Sequence, residues 1–275
     1  MKKYLEPSSA LKIYYDLKEA YFNLAKRAVG VMAVDYQAFG EAVVSNYNKF
    51  TFDSYAFYQI FDISKSEIIW QYGMEKTLGI SQNENQFYAY LQRIHPDYLS
   101  MFIFWAQLTS EIDYLVADLF PLPELFYHIR IPLLAVDQKF HWYTQNSFVL
   151  AQGSNGHYIS NFNYFEYAGL YNDKNKNTQL PYITRKNTTS PEAIAILYQA
   201  AGAKIKTVFT PTELELIAWY IEENPSKDFK NLRPDTIHEY NSNILKNLKP
   251  FIYIDFPTAK MAAKFLSESG VWIPN

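Results

Sequence analysis

The stretch from Phe126 to Leu150, FYHIRIPLLAVDQKFHWYTQNSFVL, constrains the fold more strongly than its surroundings. Two apolar, β-branched and aromatic runs flank Asp137-Gln138-Lys139. Short β-rich runs separated by three to five turn residues predict a hairpin. Asp137 suits the turn because its side chain bonds the backbone just ahead and tolerates unusual dihedrals. No glycine stands between the runs, so the turn type stays open. An earlier strand pair, Phe57 to Ile63 and Glu67 to Gly73 joined at Ser64-Lys65-Ser66, would lie on one side of this hairpin. A last strand, Ile159 to Tyr167, would lie on the other, after the turn cluster Gln152 to Gly156. Gln86 to Val116 reads as a helical block between the halves. The expected product is an antiparallel sheet with flanking helices.

The rest of the chain supplies helices and a polar interval. Ala10 to Val29 carries apolar residues at helical spacing, with Ser8 or Ser9 as N-cap, and Tyr36 to Asn48 follows as a second helix. The first helix either covers the core or meets a second copy of the chain. His95-Pro96-Asp97 reads as a helix start: proline loses nothing in the first turn, and the aspartate faces the positive end of the helix dipole. Pro121-Leu122-Pro123 ends the helical block. Tyr171 to Pro191 is polar and rich in Asn, Thr and Lys, which predicts a linker with one short extended piece around Pro181-Tyr182-Ile183.

Composition excludes several functions. The 275 residues allow one large domain or two smaller ones, and the net charge of −3 advertises neither nucleic acid nor an anionic membrane. Absence of cysteine removes disulfides, zinc–thiolate centres, iron–sulfur clusters and cysteine nucleophiles. The N-terminus lacks an apolar signal region. The longest apolar stretch, Met101 to Phe120, is cut by Gln107, Glu111, Asp113 and Asp118, short of the ~20 apolar residues a bilayer span needs. The expectation is a soluble, cytoplasmic protein that does not enter a membrane.

The order of hairpin, short helices and three strands resembles the PAS sensory domain. The residues that carry the resemblance are YQIFDISKSEIIWQYGMEKTLGI (Tyr58 to Ile80), RIHPDY (Arg93 to Tyr98) and the central hairpin. The resemblance implies a pocket between sheet and helices, and a flanking N-terminal helix that pairs with a second copy. Aromatic residues make up 18% of the chain. Six of them, Trp70, Tyr72, Phe102, Trp105, Trp142 and Phe148, are the candidates either to line such a pocket around a small ligand or to fill it. No cofactor is expected. A flavin–cysteine adduct is excluded by the absence of cysteine, and no histidine in the helical block apart from His95 offers a haem ligand.

The tail resembles the helix-turn-helix domain of LuxR-type transcription regulators. FTPTELELI (Phe209 to Ile217), Thr236-Ile237, Asn243-Ile244-Leu245, Leu248 and the helix Ala259 to Gly270 match that family's elements in order, with Thr210 or Thr212 as the first N-cap. Two intervals depart from it: the segment between Asn224 and Thr236 is about a helical turn short, and that between Leu248 and Ala259 is longer. By the resemblance, Thr236, His238, Asn241, Ser242, Asn243 and Lys246 are the candidate DNA-contacting residues. Asn suits adenine edges. Yet Phe209 to Asn275 holds seven Lys and Arg against nine Asp and Glu. Since affinity for DNA comes largely from phosphate neutralisation, binding would be weak.

No P-loop, GxSxG, GxGxxG or HExxH pattern is present, so no enzyme is expected. His128 and His141 stand on opposite arms of the hairpin, and no metal is assigned to them. The reading is an α+β chain: flanking helices over 1–50, a PAS-like sensory domain over 51–170, a linker with a short helix over 171–208, and a helix-turn-helix-like domain over 209–275. Its function would be a signal-responsive transcriptional regulator acting as a homodimer. The alternative is an interaction scaffold whose tail no longer binds DNA.

Overall fold

The computed structural model describes residues 7–31, 33–47, 55–82, 85–119, 125–172, 180–185, 188–222, 229, 232–250 and 256–272. The chain is α+β and divides into two compact units, Met1–Ala193 and Ile194–Asn275. Pro121-Leu122-Pro123 and residues 173–179 and 186–187 of the polar interval lie outside the described residues.

The first unit begins with α1 (Pro7–Ala25) and α2 (Tyr36–Tyr47), followed by the hairpin β1 (Phe57–Asp62) and β2 (Glu67–Tyr72). Three helices follow, α3 (Met74–Leu78), α4 (Gln86–Arg93) and α5 (Pro96–Leu119). Then come β3 (Leu125–Leu134), β4 (Phe140–Gln152), β5 (Tyr158–Leu170), β6 (Tyr182–Arg185) and β7 (Thr188–Thr189). The strands form one sheet in the order β2-β1-β5-β4-β3-β6-β7, with every pair antiparallel. The central hairpin predicted from Phe126 to Leu150 is present as β3 and β4. Its turn places Gln138 at φ 61 without a glycine. Asp137 makes this tolerable: its carboxylate accepts from the Lys139 N–H at 3.1 Å and from His141 Nε2 at 2.9 Å. Where the sequence reads as a linker, β6 extends the sheet by pairing with β3, His128 opposite Tyr182.

Every residue of β1 is buried, which requires cover on both faces. On one face, Phe61 meets Tyr21 of α1 at 5.6 Å and Phe87 of α4 at 4.7 Å. The buried stripe of α1, Ile13, Tyr14, Leu17, Tyr21 and Leu24, recurs every three to four residues, so this helix covers the core. On the other face α2 packs through Tyr36, Phe39 and Val43 against Tyr58, Ile60 and Phe162. The connector between α1 and α2 is tied to the β4–β5 turn. Ser154 N–H donates to Val29 O at 2.6 Å, and Asn155 Nδ2 donates to Arg27 O at 2.6 Å. His95 caps α5 as the sequence implied, its Nδ1 accepting from the Asp97 N–H at 3.2 Å.

Among the described residues of the second unit the regular elements are helices. The unit contains α6 (Pro191–Lys206, whose first turn falls at the boundary), α7 (Pro211–Ile221), α8 (Pro234–Leu248) and α9 (Ala259–Glu268). Helix α7 starts on a capping box: Glu213 N–H donates to Thr210 Oγ1, and the Glu213 carboxylate accepts from Thr210 N–H at 2.8 Å. Its core combines Leu216 and Ile217 of α7, Ile244 and Leu248 of α8, and Ala259, Ala262, Ala263 and Leu266 of α9. Most of the two intervals that depart from the LuxR-type pattern lie outside the described residues.

A test of the two-sided cover lies at Gly40 on α2. A Cβ there would stand 2.2 Å from the Trp70 indole. Gly40→Ala should therefore cost about 1–2 kcal/mol, because overpacking outweighs the gain in helix propensity. Combining it with Trp70→Leu should recover most of that loss in a urea-unfolding double-mutant cycle.

Candidate functional site

Antiparallel pairing sets residues opposite one another with side chains on one face, and residues two apart share that face. The register places Gln71, Gln59, Asn163, Ser147 and Tyr127 in one continuous line across β2, β1, β5, β4 and β3. The neighbouring lines on the same face put Asn161 between Phe61 and Val149, and Gln145 between Phe165 and Ile129. The centre of a buried sheet face is thus carpeted with amides. A cavity of about 110 Å³ stands over it. Gln59, Gln145, Asn161, Asn163 and Ser147 form its floor. Tyr21 of α1, Phe87 and Tyr90 of α4, and Phe102, Trp105 and Thr109 of α5 supply the facing wall.

Buried amides are costly unless paired, and most of these are. Asn163 Oδ1 accepts from Gln145 Nε2 at 2.9 Å, from Asn161 Nδ2 at 3.4 Å and from the Ser147 hydroxyl in a short contact. Gln145 Oε1 accepts from the Tyr90 hydroxyl at 3.4 Å, and burial raises the Tyr90 pKa so that the phenol keeps its proton. Gln71 Oε1 accepts from the Met74 N–H at 3.2 Å. Gln59 differs: it is 4% exposed, and its Oε1 has no partner. Among the described residues, none lining the cavity is a lysine, arginine, aspartate or glutamate.

One described lining residue is a histidine. His128 lies between Asn146 Oδ1, 2.5 Å from its Nδ1, and Thr184 Oγ1, 2.7 Å from its Nε2, with Tyr182 stacked on the ring at 4.6 Å. Asn146 Nδ2 donates to Thr144 O and Tyr164 O, which leaves Oδ1 facing the imidazole. His128 therefore donates through Nδ1 and accepts the Thr184 hydroxyl at Nε2, as a neutral ring does. Burial lowers its pKa from 6.5, and the bond to Asn146 opposes that in part. His128 and His141 do not face each other, since their strand partners are Asn146 and Leu133. Among the described residues no three His, Asp or Glu side chains are grouped as a metal would need.

Of the six rings proposed for the pocket, Phe102, Trp105 and Phe148 line it. Trp70, Tyr72 and Trp142 do not. Trp70 and Tyr72 stand opposite Ile60 and Tyr58, on the α2 face, because β2 alternates and the pocket side falls to Gln71. Trp142 is 1% exposed and enclosed elsewhere, with Tyr98 at 5.1 Å and the Arg130 guanidinium at 4.9 Å. The residues missed by a search for rings are the amides. Their signal was present in SNFNYF, where Asn161 and Asn163 stand two apart, and in YQIF, where Gln59 interrupts an apolar run.

In the second unit the candidate DNA contacts separate. His238, Ser242 and Lys246 recur every four residues along the exposed side of α8, with Asp235 and Glu239 exposed beside them. Thr236 and Asn243 are half-buried. Asn241 is engaged within the unit: its Oδ1 accepts from the Tyr220 hydroxyl of α7 at 2.7 Å. Asn241→Ala should lower stability by about 1 kcal/mol in denaturant unfolding, and Tyr220→Phe in that background should add little.

A second prediction concerns pH. With a lowered pKa in the fold, His128 leaves the unfolded chain holding more protons as pH drops, so stability present above about 6.5 is lost below it. The melting midpoint should fall from about pH 7 to about pH 5, and His128→Gln should flatten that slope.

No protein-family model matches the chain. No curated protein matches it. Among solved structures it is similar to the crystal structure of the phage VqmA–DPO complex, at 12% identity over 87% of this chain and 93% of that one, with a TM-score of 0.27. At that score the likeness supports no inference about what the chain does.

Proposed function

We propose that the chain is a ligand-responsive regulator. A small molecule occupies the cavity of the first unit, and the helix-turn-helix-like second unit acts on DNA as the output, in the manner its resemblance to PAS and LuxR-type domains implies. The observation that carries this reading is the cavity: an amide-floored space, free of Lys, Arg, Asp and Glu among its described lining residues, inside a core otherwise filled with rings. A core built for stability alone would fill such a space with apolar side chains. The reading is non-enzymatic; among the described lining residues there is no charged acid–base pair, and His128 is held by two partners. Exposed Leu11, Tyr15 and Phe22 on α1 are consistent with action as a homodimer. Among the described residues no helix is long and apolar enough to cross a membrane, and the proposed setting is the cytoplasm.

The exposed side of α8 favours a second reading. Asp235 and Glu239 beside His238, Ser242 and Lys246 weaken any attraction for phosphate. On this reading the tail is an interaction scaffold.

Fluorescence anisotropy against a mixed duplex pool separates the two. The regulator should bind at low salt and weaken as salt rises. Lys246→Ala should lower affinity across all sequences and reduce the salt slope by about 1. No binding at any salt would leave the scaffold.

A further inference from the structure

Strand β6 is four residues long and meets β3 through four register pairs. A strand this short gains little from its ladder alone. His128 of β3 adds a side-chain tie. Its Nε2 accepts from the Thr184 hydroxyl at 2.7 Å, and the Tyr182 ring stacks on the imidazole at 4.6 Å and 11°. Nδ1 is fixed to Asn146 of β4 at 2.5 Å, so one imidazole joins β4, β3 and β6.

From β6 the chain runs directly into α6. Strand β7 folds back on β6, with Thr184 opposite Thr189. The next residue, Ser190, donates its N–H to Ile183 O at 3.1 Å, and its hydroxyl accepts the Ala193 N–H at 3.3 Å. Ser190 therefore closes the β6–β7 ladder and caps α6, which begins at Pro191. The seam between β3 and β6 also borders the cavity. Tyr127 and His128 line it from β3, and Pro181, the residue before β6, lines it from the other side.

We propose that β6 is a strap with a docked and a released state, that the His128–Thr184 bond latches it docked, and that its release loosens the start of α6. This rests on the reading of the cavity as the sensing site and of the tail as the output, and it supplies the step between them. An occupant of the cavity that touches Tyr127 and Pro181 together favours the docked state, because it gains contacts there that the released strand does not offer. Helix α6 starts in the first unit and continues into the second, so a change at Ser190 enters the output unit through one continuous helix.

Amide hydrogen exchange on the full chain tests the strap without ligand or DNA. Thr184→Val keeps the shape of the side chain and removes the hydroxyl, whereas Thr184→Ser keeps the hydroxyl. Thr184→Val should raise exchange about fivefold in β6 and at the start of α6, from Ala193 to Leu197, and leave β1 and β5 unchanged. Thr184→Ser should stay near the unaltered chain. A rise confined to β6 would overturn the coupling to α6, and no rise at all would overturn the latch. In a duplex-pool titration Thr184→Val should change the affinity and Thr184→Ser should not. Equal affinities with a loosened α6 would overturn the regulatory role of the strap. Absence of DNA binding in every form would instead remove the regulator reading, while the exchange pattern would still decide the latch and its coupling.

Discussion

Buried amides with unequal hydrogen bonding are the constraint on which the first unit depends. The line from Gln71 through Gln59, Asn163 and Ser147 to Tyr127 crosses five strands and holds only while their register holds. A slip of one residue would turn these side chains to the α2 face and bring Ile60 and Phe162 to the cavity. The register is protected by the aromatic residues in the lines on either side. Phe57 stacks on Phe165 at 4.1 Å and nearly parallel, and Phe61 locks against Tyr21 and Phe87. Rings therefore hold the polar floor in position, and the amides keep the rings from collapsing onto the sheet.

The covering helices follow from the same alternation. A strand buried on both sides needs an apolar partner for each face. Helices α1, α4 and α5 stand on the cavity side, and α2 stands on the other, where Gly40 allows close approach to Trp70. The chain passes between these faces at the α1–α2 connector. That crossing is fixed by backbone bonds from Ser154 and side-chain bonds from Asn155. Gly153 belongs to this contact, since a Cβ there would stand 2.7 Å from the Val29 backbone. Tyr21 at the cavity and the clamp at Arg27 and Val29 lie on the same short stretch of chain.

The second unit is held by different means. Helices α7 and α9 begin on side-chain caps, Thr210 with Glu213 and Thr258 on Met261 N–H, whereas α8 begins at Pro234 without one. The small residues Ala259, Ala262 and Ala263 let α9 pack closely. Pairing of Tyr220 with Asn241 spends a carboxamide on joining α7 to α8. What α8 leaves in solvent is a short mixed-charge strip.

Much of this was legible in the residues themselves. The hairpins, the helix starts at His95 and Thr210 and the divide between a sheet-bearing front and a helical tail follow from local periodicity and capping chemistry, which act over a few residues. The excess of acidic over basic residues in the tail is read directly from the sequence. The content of the cavity was not legible. Aromatic residues mark a core wherever they stand, and only strand register shows that Trp70 and Tyr72 lie behind the sheet while Gln59, Asn161 and Asn163 lie in front. The extended piece at Tyr182 was legible, but its place in the sheet as β6 was not, because its pairing partner β3 is more than 50 residues away in sequence. Local pattern determined which elements exist. Which side chains face each other across the cavity was decided by long-range pairing, because alternation repeats every two residues and only the register between strands says which set is turned inward.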